Sequence, residues 1–180
     1  GSDLSIHELR VTLQKLISND LFGVSKYLIP NTQLQISTIK SSLDREVHNK
    51  MATEYALSHN LGQNICRSIH GITEELLMNA IYDAPSASRD IDQEGADRST
   101  PIDLEPSQYS SLKYGFDGTI FAISVTDPFG AFSHEKFFQY VKKVLLRRDS
   151  ESLIDKKKGG AGLGIFKKLY SSHGLICNIK

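Results

Sequence analysis

The sequence has no excess of charge of either sign: 21 Lys plus Arg are matched by 21 Asp plus Glu, for a formal net charge of zero. Such a chain has no overall field to draw it to nucleic acid or to an anionic membrane, so neither is expected as a partner. Long apolar runs are missing too. The longest are a handful of residues, against the roughly 20 needed to span a bilayer, and no leader pattern is visible at the N-terminus. A cytoplasmic protein is the expectation. Cysteine is scarce: Cys66 and Cys177 sit among apolar neighbours (NICRSI and LICNI) with no CxxC or Cys/His spacing. That argues against a thiolate metal site and for two buried free thiols. Gly1-Ser2 reads as a cleavage scar of recombinant expression, with natural sequence expected upstream.

What is present fits one domain: 180 residues bury a proper core without disulfide or metal staples. Ile6, Leu9, Leu13, Leu16 and Ile17 recur at helical spacing over 5–17, and Asn19 or Asp20 caps a second short helix that runs to Leu28. Residues 33–39 alternate as a strand, with Leu34 and Ile36 on one face. A long helix follows Ser42 with Leu43, Val47, Met51 and Tyr55 every fourth residue, and Asn60-Leu61-Gly62 stops it, glycine being free to adopt positive φ. A second long helix over 63–82 carries Ile65, Ile69, Ile72, Leu76 and Ala80 as its inner stripe.

After Ala84-Pro85 a polar stretch to about Gln108 reads as a mobile surface insertion. A hairpin is expected around Phe116-Asp117-Gly118, its second strand IFAISVT apolar on both faces and so central in the sheet. A helix after Ser133, a charged loop over 147–158, a glycine-rich loop over 159–164, a helix over 165–172 and a strand over 175–179 complete the order. The fold class is an α/β (α+β) two-layer sandwich, helices on one face of a mixed sheet, preceded by an N-terminal helical linker over 1–31.

Three segments carry the chemistry. In ITEELLMNAIYDA, Glu75 and Asn79 stand one helical turn apart on one face, bordering the apolar stripe. An amide oxygen there suits Mg²⁺, and a carboxylate suits orienting or deprotonating a hydroxyl; the plainer alternative is a solvated helix face. In SVTDPFGAF, Asp127 ends a strand, where it can accept from an exocyclic amine, and Gly130 lets a flat base lie against backbone. Asp-Pro is also common turn chemistry. In KKKGGAGLGIFKKL, Gly159, Gly160, Gly162 and Gly164 precede a helix whose free N–H groups can gather phosphates, with Lys156, Lys157 and Lys158 on the approach. It lacks the GK[ST] of a P-loop and the GxGxxG spacing of a dinucleotide fold.

ExxxN on a helix, an aspartate and glycine after a strand, then GxGLG before a helix resembles the signature of the histidine-kinase-like (GHKL) ATPase superfamily. The strand QLQIST, the helix after it and TEELLMNAI are similar to the anti-sigma-factor serine kinase branch. The resemblance covers 32–180 and implies a Bergerat-type ATP-binding fold with 84–108 as a surface insertion and 131–159 as the ATP lid. Glu75 matches the general base and Asn79 the Mg²⁺ ligand. Asp127 and Gly130 match the adenine box, and Gly160, Gly162, Leu163 and Gly164 match the phosphate loop. Arg147, Arg148 and the three lysines are phosphate-contact candidates in the lid. ATP and Mg²⁺ are the implied ligands. The implied activity is that of a protein serine/threonine kinase and partner switch acting on a sigma factor or its antagonist, with a homodimer by analogy.

The chain departs from the family pattern in three places. The first glycine box reads DPFGAF rather than DxGxG, Asp83 stands where many members carry a basic or histidine side chain, and the insertion is long. Two alternatives stay open: a non-catalytic nucleotide-sensing output module below a receiver domain, or the catalytic domain of a histidine kinase. His7, in IHELRVTL, lacks the following proline of a phosphoacceptor box and reads as a surface residue of a linker helix.

Overall fold

The computed structural model describes residues 6–19, 21–85, 101–130, 174 and 176. The expected lid, the glycine loop, the helix over 165–172, nearly all of the final strand and residues 86–100 lie outside the described residues. The rest is a mixed α+β unit of three α-helices and one three-stranded antiparallel sheet.

The turn between the second and third strands is fixed by one carboxylate. Asp117 Oδ1 accepts from the N–H groups of Thr119 (2.9 Å) and Ile120 (2.7 Å), while Gly118 takes φ of 96°. Beside that turn run β2 (Ser110–Phe116) and β3 (Phe121–Thr126), with Leu112 opposite Val125 and Tyr114 opposite Ile123. On the other side β2 pairs with β1 (Gln35–Ile39), Ile39 facing Ser110. Among the described strands β2 is therefore central, and it carries the fully buried Leu112 and Tyr114. The strand expected to be central, β3, is only half-buried and forms one edge of the described sheet. The described pairings are all antiparallel, where a mixed sheet was expected.

Two helices cover the face that carries Ile39, Leu112, Tyr114, Ile123 and Val125. They are α2 (Asp44–Ser58), through Ala52, and α3 (Gln63–Met78), through Leu77 and the Ile81 that follows it. A second cluster joins Ala56, Cys66 and Ile69 to Phe121 at the hairpin end. The Tyr55 and Tyr114 rings meet edge-on at 5.3 Å between the layers. Burial, and next the neighbouring Tyr55, raise the Tyr114 phenol above its ordinary value.

The inner face of α2 differs from the periodic reading. Leu43, Val47 and Met51 are exposed, whereas His48, Asn49, Ala52 and Ala56 are buried. Both faces have helical spacing, and the close approach of α2 to α3 and the sheet selects the one bearing small alanines. The cost is polar: among the described residues neither ring nitrogen of His48 nor Oδ1 of Asn49 finds a hydrogen-bond partner. In α3 the buried stripe is Cys66, Ile69, Thr73 and Leu77, with Ile65 exposed and Ile72 and Leu76 half-buried, a rotation from the expected stripe. The left-handed residue that ends α2's run is Asn60 (φ 59°). Gly62 stays at φ −61° and accepts from Cys66 N–H at 3.0 Å.

The other sheet face is covered at its hairpin end by the segment before β1. Of the short helix expected up to Leu28 only a 3₁₀ turn forms, Val24–Tyr27, and it buries Val24. Asp117 Oδ2 accepts from Ile29 N–H at 2.9 Å, tying this segment to the hairpin. A Cβ built on Gly115 would meet Leu34 Cδ2 at 2.8 Å, Gln33 O at 3.0 Å and Leu28 Cδ1 at 3.2 Å. Gly115→Ala is therefore expected to destabilise by about 1–3 kcal/mol through overpacking against fixed backbone, read as a lower urea midpoint. An unchanged midpoint would show that the 28–34 segment is free to withdraw.

The first helix, α1 (Ile6–Ser18), rests on this turn by its less apolar side. Val11 is buried, and Lys15 Nζ donates to the Tyr27 hydroxyl and lies 4.1 Å from that ring's centroid. The stripe Ile6, Leu9, Leu13, Leu16, Ile17 points away, with Ile6 88% and Ile17 84% exposed. Part of the expected insertion also belongs to the core assembly. Ser42 exchanges bonds with Ile102 (2.8 and 2.9 Å), Leu104 N–H donates to Lys40 O at 2.8 Å, and Leu104 is buried. Residues 102–104 are therefore attached to the end of β1, with a single bridge between Ser41 and Asp103.

Candidate functional site

Glu75 and Asn79 lie on the side of α3 that faces neither the sheet nor α2. Counting about 100° per residue, Glu75 sits opposite the Thr73–Leu77 stripe and Asn79 about a third of a turn from Ala80. Both are half-buried, and the Asn79 N–H donates to the Glu75 carbonyl, so the two side chains hold the i, i+4 relation expected of them. The neighbouring Glu74 has a different task. Its Oε1 pairs with Arg45 Nε at 3.2 Å, and its Oε2 accepts from Asn49 Nδ2 at 3.2 Å, while Arg45 Nη1 donates to Met78 Sδ at 2.8 Å. Of two adjacent glutamates, one locks α3 to α2 and the other is left on the ExxxN face.

That interlock also fixes which end of the sheet the site occupies. Asp44 Oδ2 accepts from Lys40 and Ser41 N–H, both at 3.1 Å, so the start of α2 is tied to the end of β1. Ile39 pairs with Ser110, and Ser111 with Thr126, whose next residue is Asp127. Through Arg45, the last turn of α3 is thereby held at the end of the sheet where Asp127 leaves β3. Asp127 is the first residue beyond β3 at that end.

Asp127 itself is half-buried, and its Oδ1 accepts from Phe129 N–H at 2.9 Å, the local turn that Asp-Pro favours. Gly130 has φ of 60°, the left-handed region that favours glycine, and among the described residues nothing comes within 4 Å of its would-be Cβ. Gly160, Gly162, Leu163 and Gly164, with Arg147, Arg148, Lys156, Lys157, Lys158 and Cys177, lie outside the described residues, as does the His7 side chain.

One feature of the site has no periodic signal. From Asn79–Asp83 the helix widens into a π turn, and Ala84 N–H donates to the Asn79 carbonyl. Three consecutive residues, Ala80, Ile81 and Tyr82, are buried there. The run of three apolar residues between Asn79 and Asp83 is the only trace in the sequence. Turns of this kind occur often at functional sites.

The donors near Asn79 are hard oxygens, the chemistry that Mg²⁺ takes, usually with one or two carboxylates, waters and substrate phosphates. No group of three or more His, Cys, Asp or Glu that could hold a metal occurs among the described residues. Among the described residues no helix is long and apolar enough to cross a membrane. Comparison with known protein families, curated proteins and solved structures found no match to this chain.

Proposed function

We propose that this chain is an ATP- and Mg²⁺-binding domain of the GHKL type, with a Bergerat-type fold, acting as an anti-sigma-factor-like protein serine/threonine kinase and partner switch. The observation that carries the reading is the sharing of one sheet end by the Glu75/Asn79 face of α3 and by Asp127. Asn79 would hold Mg²⁺, and Glu75 would orient the acceptor hydroxyl and take its proton. Asp127, through the oxygen not used in its turn, would meet the adenine amine. Mg²⁺ supplies charge neutralisation at the γ-phosphate, and the rest of catalysis is positioning.

The deciding test is a calorimetric titration with a non-hydrolysable ATP analogue and Mg²⁺, repeated on Asn79→Ala. Saturable binding that weakens in the variant supports the reading, and no binding to the unmodified chain ends it. The turn bond from Phe129 to Asp127, together with the altered DPFGAF box, also favours a second reading, a non-catalytic nucleotide sensor. Steady release of ADP excludes that sensor, and tight binding without turnover establishes it.

The exposed stripe of α1 supports the homodimer. Ile6, Leu9, Leu13 and Leu16 alternate at three- and four-residue steps, the pattern of a self-complementary helix seam. Leu9→Asp with Leu13→Asp is expected to convert a dimer into a monomer by light scattering. An unmodified chain that stays monomeric at its highest soluble concentration rules the dimer out.

A further inference from the structure

Three polar side chains of the core take no part in the proposed chemistry: His48, Asn49 and Ser110. They are 9%, 2% and 1% exposed. Among the described residues neither ring nitrogen of His48, nor Asn49 Oδ1, nor Ser110 Oγ finds a hydrogen-bond partner. A polar atom left unpaired at such depth is costly, so each of these calls for one. The layers set two of the three face to face. Ser110 lies on the strand face of Leu112 and Tyr114, which α2 covers. Tyr55 of α2 meets Tyr114 at 5.3 Å, and His59, one turn on, meets Phe116 at 5.6 Å, so α2 and β2 climb together in the same direction. At the other end, Asp44 Oδ2 accepts from Lys40 and Ser41 N–H, just past the Ile39–Ser110 pair. His48 falls between these two fixed points. From Tyr55 back to His48 is about 10 Å of helix rise, or about three residues of strand, which brings His48 level with Ser110 and Ser111. Around the helix axis it stands only about 20° from Tyr55, on the side that meets the sheet.

From this juxtaposition we infer a buried water site between the His48 imidazole and the Ser110 hydroxyl, in which at least one ordered water joins α2 to β2. The inference is independent of the ATP reading. A neutral imidazole offers one donor and one acceptor nitrogen, and a hydroxyl does both, so a water between them is satisfied in either sense. Buried waters commonly make about three hydrogen bonds. Asn49 Oδ1, on the next residue of the helix, is the third orphan at this level. The same amide already donates through Nδ2 to Glu74, which pairs with Arg45. The water therefore extends the polar lock between α2 and α3 down to the sheet.

Urea unfolding of the full chain separates a shared water from two groups that are each simply unpaired. Removing an unpaired buried hydroxyl is neutral or stabilising, whereas removing one that holds a water strands the partner on its other side. Ser110→Ala is expected to lower the urea midpoint by about 0.3–1 M. In a His48→Leu background the same substitution should cost much less, the non-additivity of two groups that share a partner. A midpoint that Ser110→Ala leaves unchanged or raises overturns the site, and so do effects of the two substitutions that add. Should His48→Leu fail to fold, nuclear magnetic resonance of the unmodified chain and of Ser110→Ala carries the test. A long-lived water is expected to give Overhauser cross-peaks to the His48 ring protons that disappear in Ser110→Ala. Cross-peaks missing from the unmodified chain, or kept in the variant, overturn the inference.

Discussion

Glu75→Ala is expected to lower phosphoryl transfer to a serine or threonine acceptor by about 10²–10⁴-fold, the usual contribution of a positioned general base. Nucleotide affinity should stay within about twofold, because the interaction removed is made with the acceptor hydroxyl and not with ATP. The structure makes this variant readable. Glu75 lies off the stripe of Cys66, Ile69, Thr73 and Leu77 that packs on the sheet, and Glu74, not Glu75, carries the link to Arg45 and Asn49. A melt of the variant run beside the transfer assay separates loss of the base from loss of folding. Transfer of labelled phosphate at the unmodified rate would show that Glu75 is not the base. Glu74→Ala has the opposite signature, a loss of stability through the α2–α3 lock with the proton acceptor intact.

Leu77→Ala carries the largest expected effect on stability. Leu77 is fully buried in the cluster that joins α3 to Ile39, Leu112 and Tyr114. Truncating it removes transfer energy and leaves a cavity between two layers that cannot easily collapse, for a cost of about 2–5 kcal/mol. In a chain of this size that is a drop in melting temperature of roughly 5–15 °C, a large share of the total stability. Urea unfolding with near-ultraviolet circular dichroism measures it, since the tyrosines between the layers report on their packing. A cost below about 1 kcal/mol would mean that α3 is not held on the sheet by this stripe. Because the same stripe sets the position of Asn79, nucleotide binding should weaken in parallel.

The sequence conveyed some of this directly and some of it misleadingly. The β2–β3 hairpin was legible because Asp117 and Gly118 have a chemistry that only a tight turn uses, with alternation on both sides. The i, i+4 relation of Glu75 and Asn79 was legible because it is local helix geometry. The inner face of α2 was not. Leu43, Val47 and Met51 are the larger apolar residues, yet close packing against α3 selected Ala52 and Ala56. Periodicity says that a helix has a face and does not say which of two faces a neighbour can approach. The stop after α2 was misassigned between two residues that both tolerate positive φ, Asn60 and Gly62. The π turn left no periodic trace, because one widened turn is too short to change the apolar spacing. For the glycine loop, the sequence pattern is the whole of the case.

The pairing of β1 with β2 also bears on how the chain reaches its fold. The α2–α3 pair and the β2–β3 hairpin each join neighbours in sequence, so each can assemble early from local contacts. Ile39 meets Ser110 only after both helices and everything up to the 3₁₀ turn Pro106–Gln108 have been looped out between them. Closing that loop costs entropy before any ladder bond repays it. The docking of β1, with the Ser42–Ile102 exchange as its clasp, should therefore come late, after the folding barrier, and substitutions there should speed unfolding more than they slow folding.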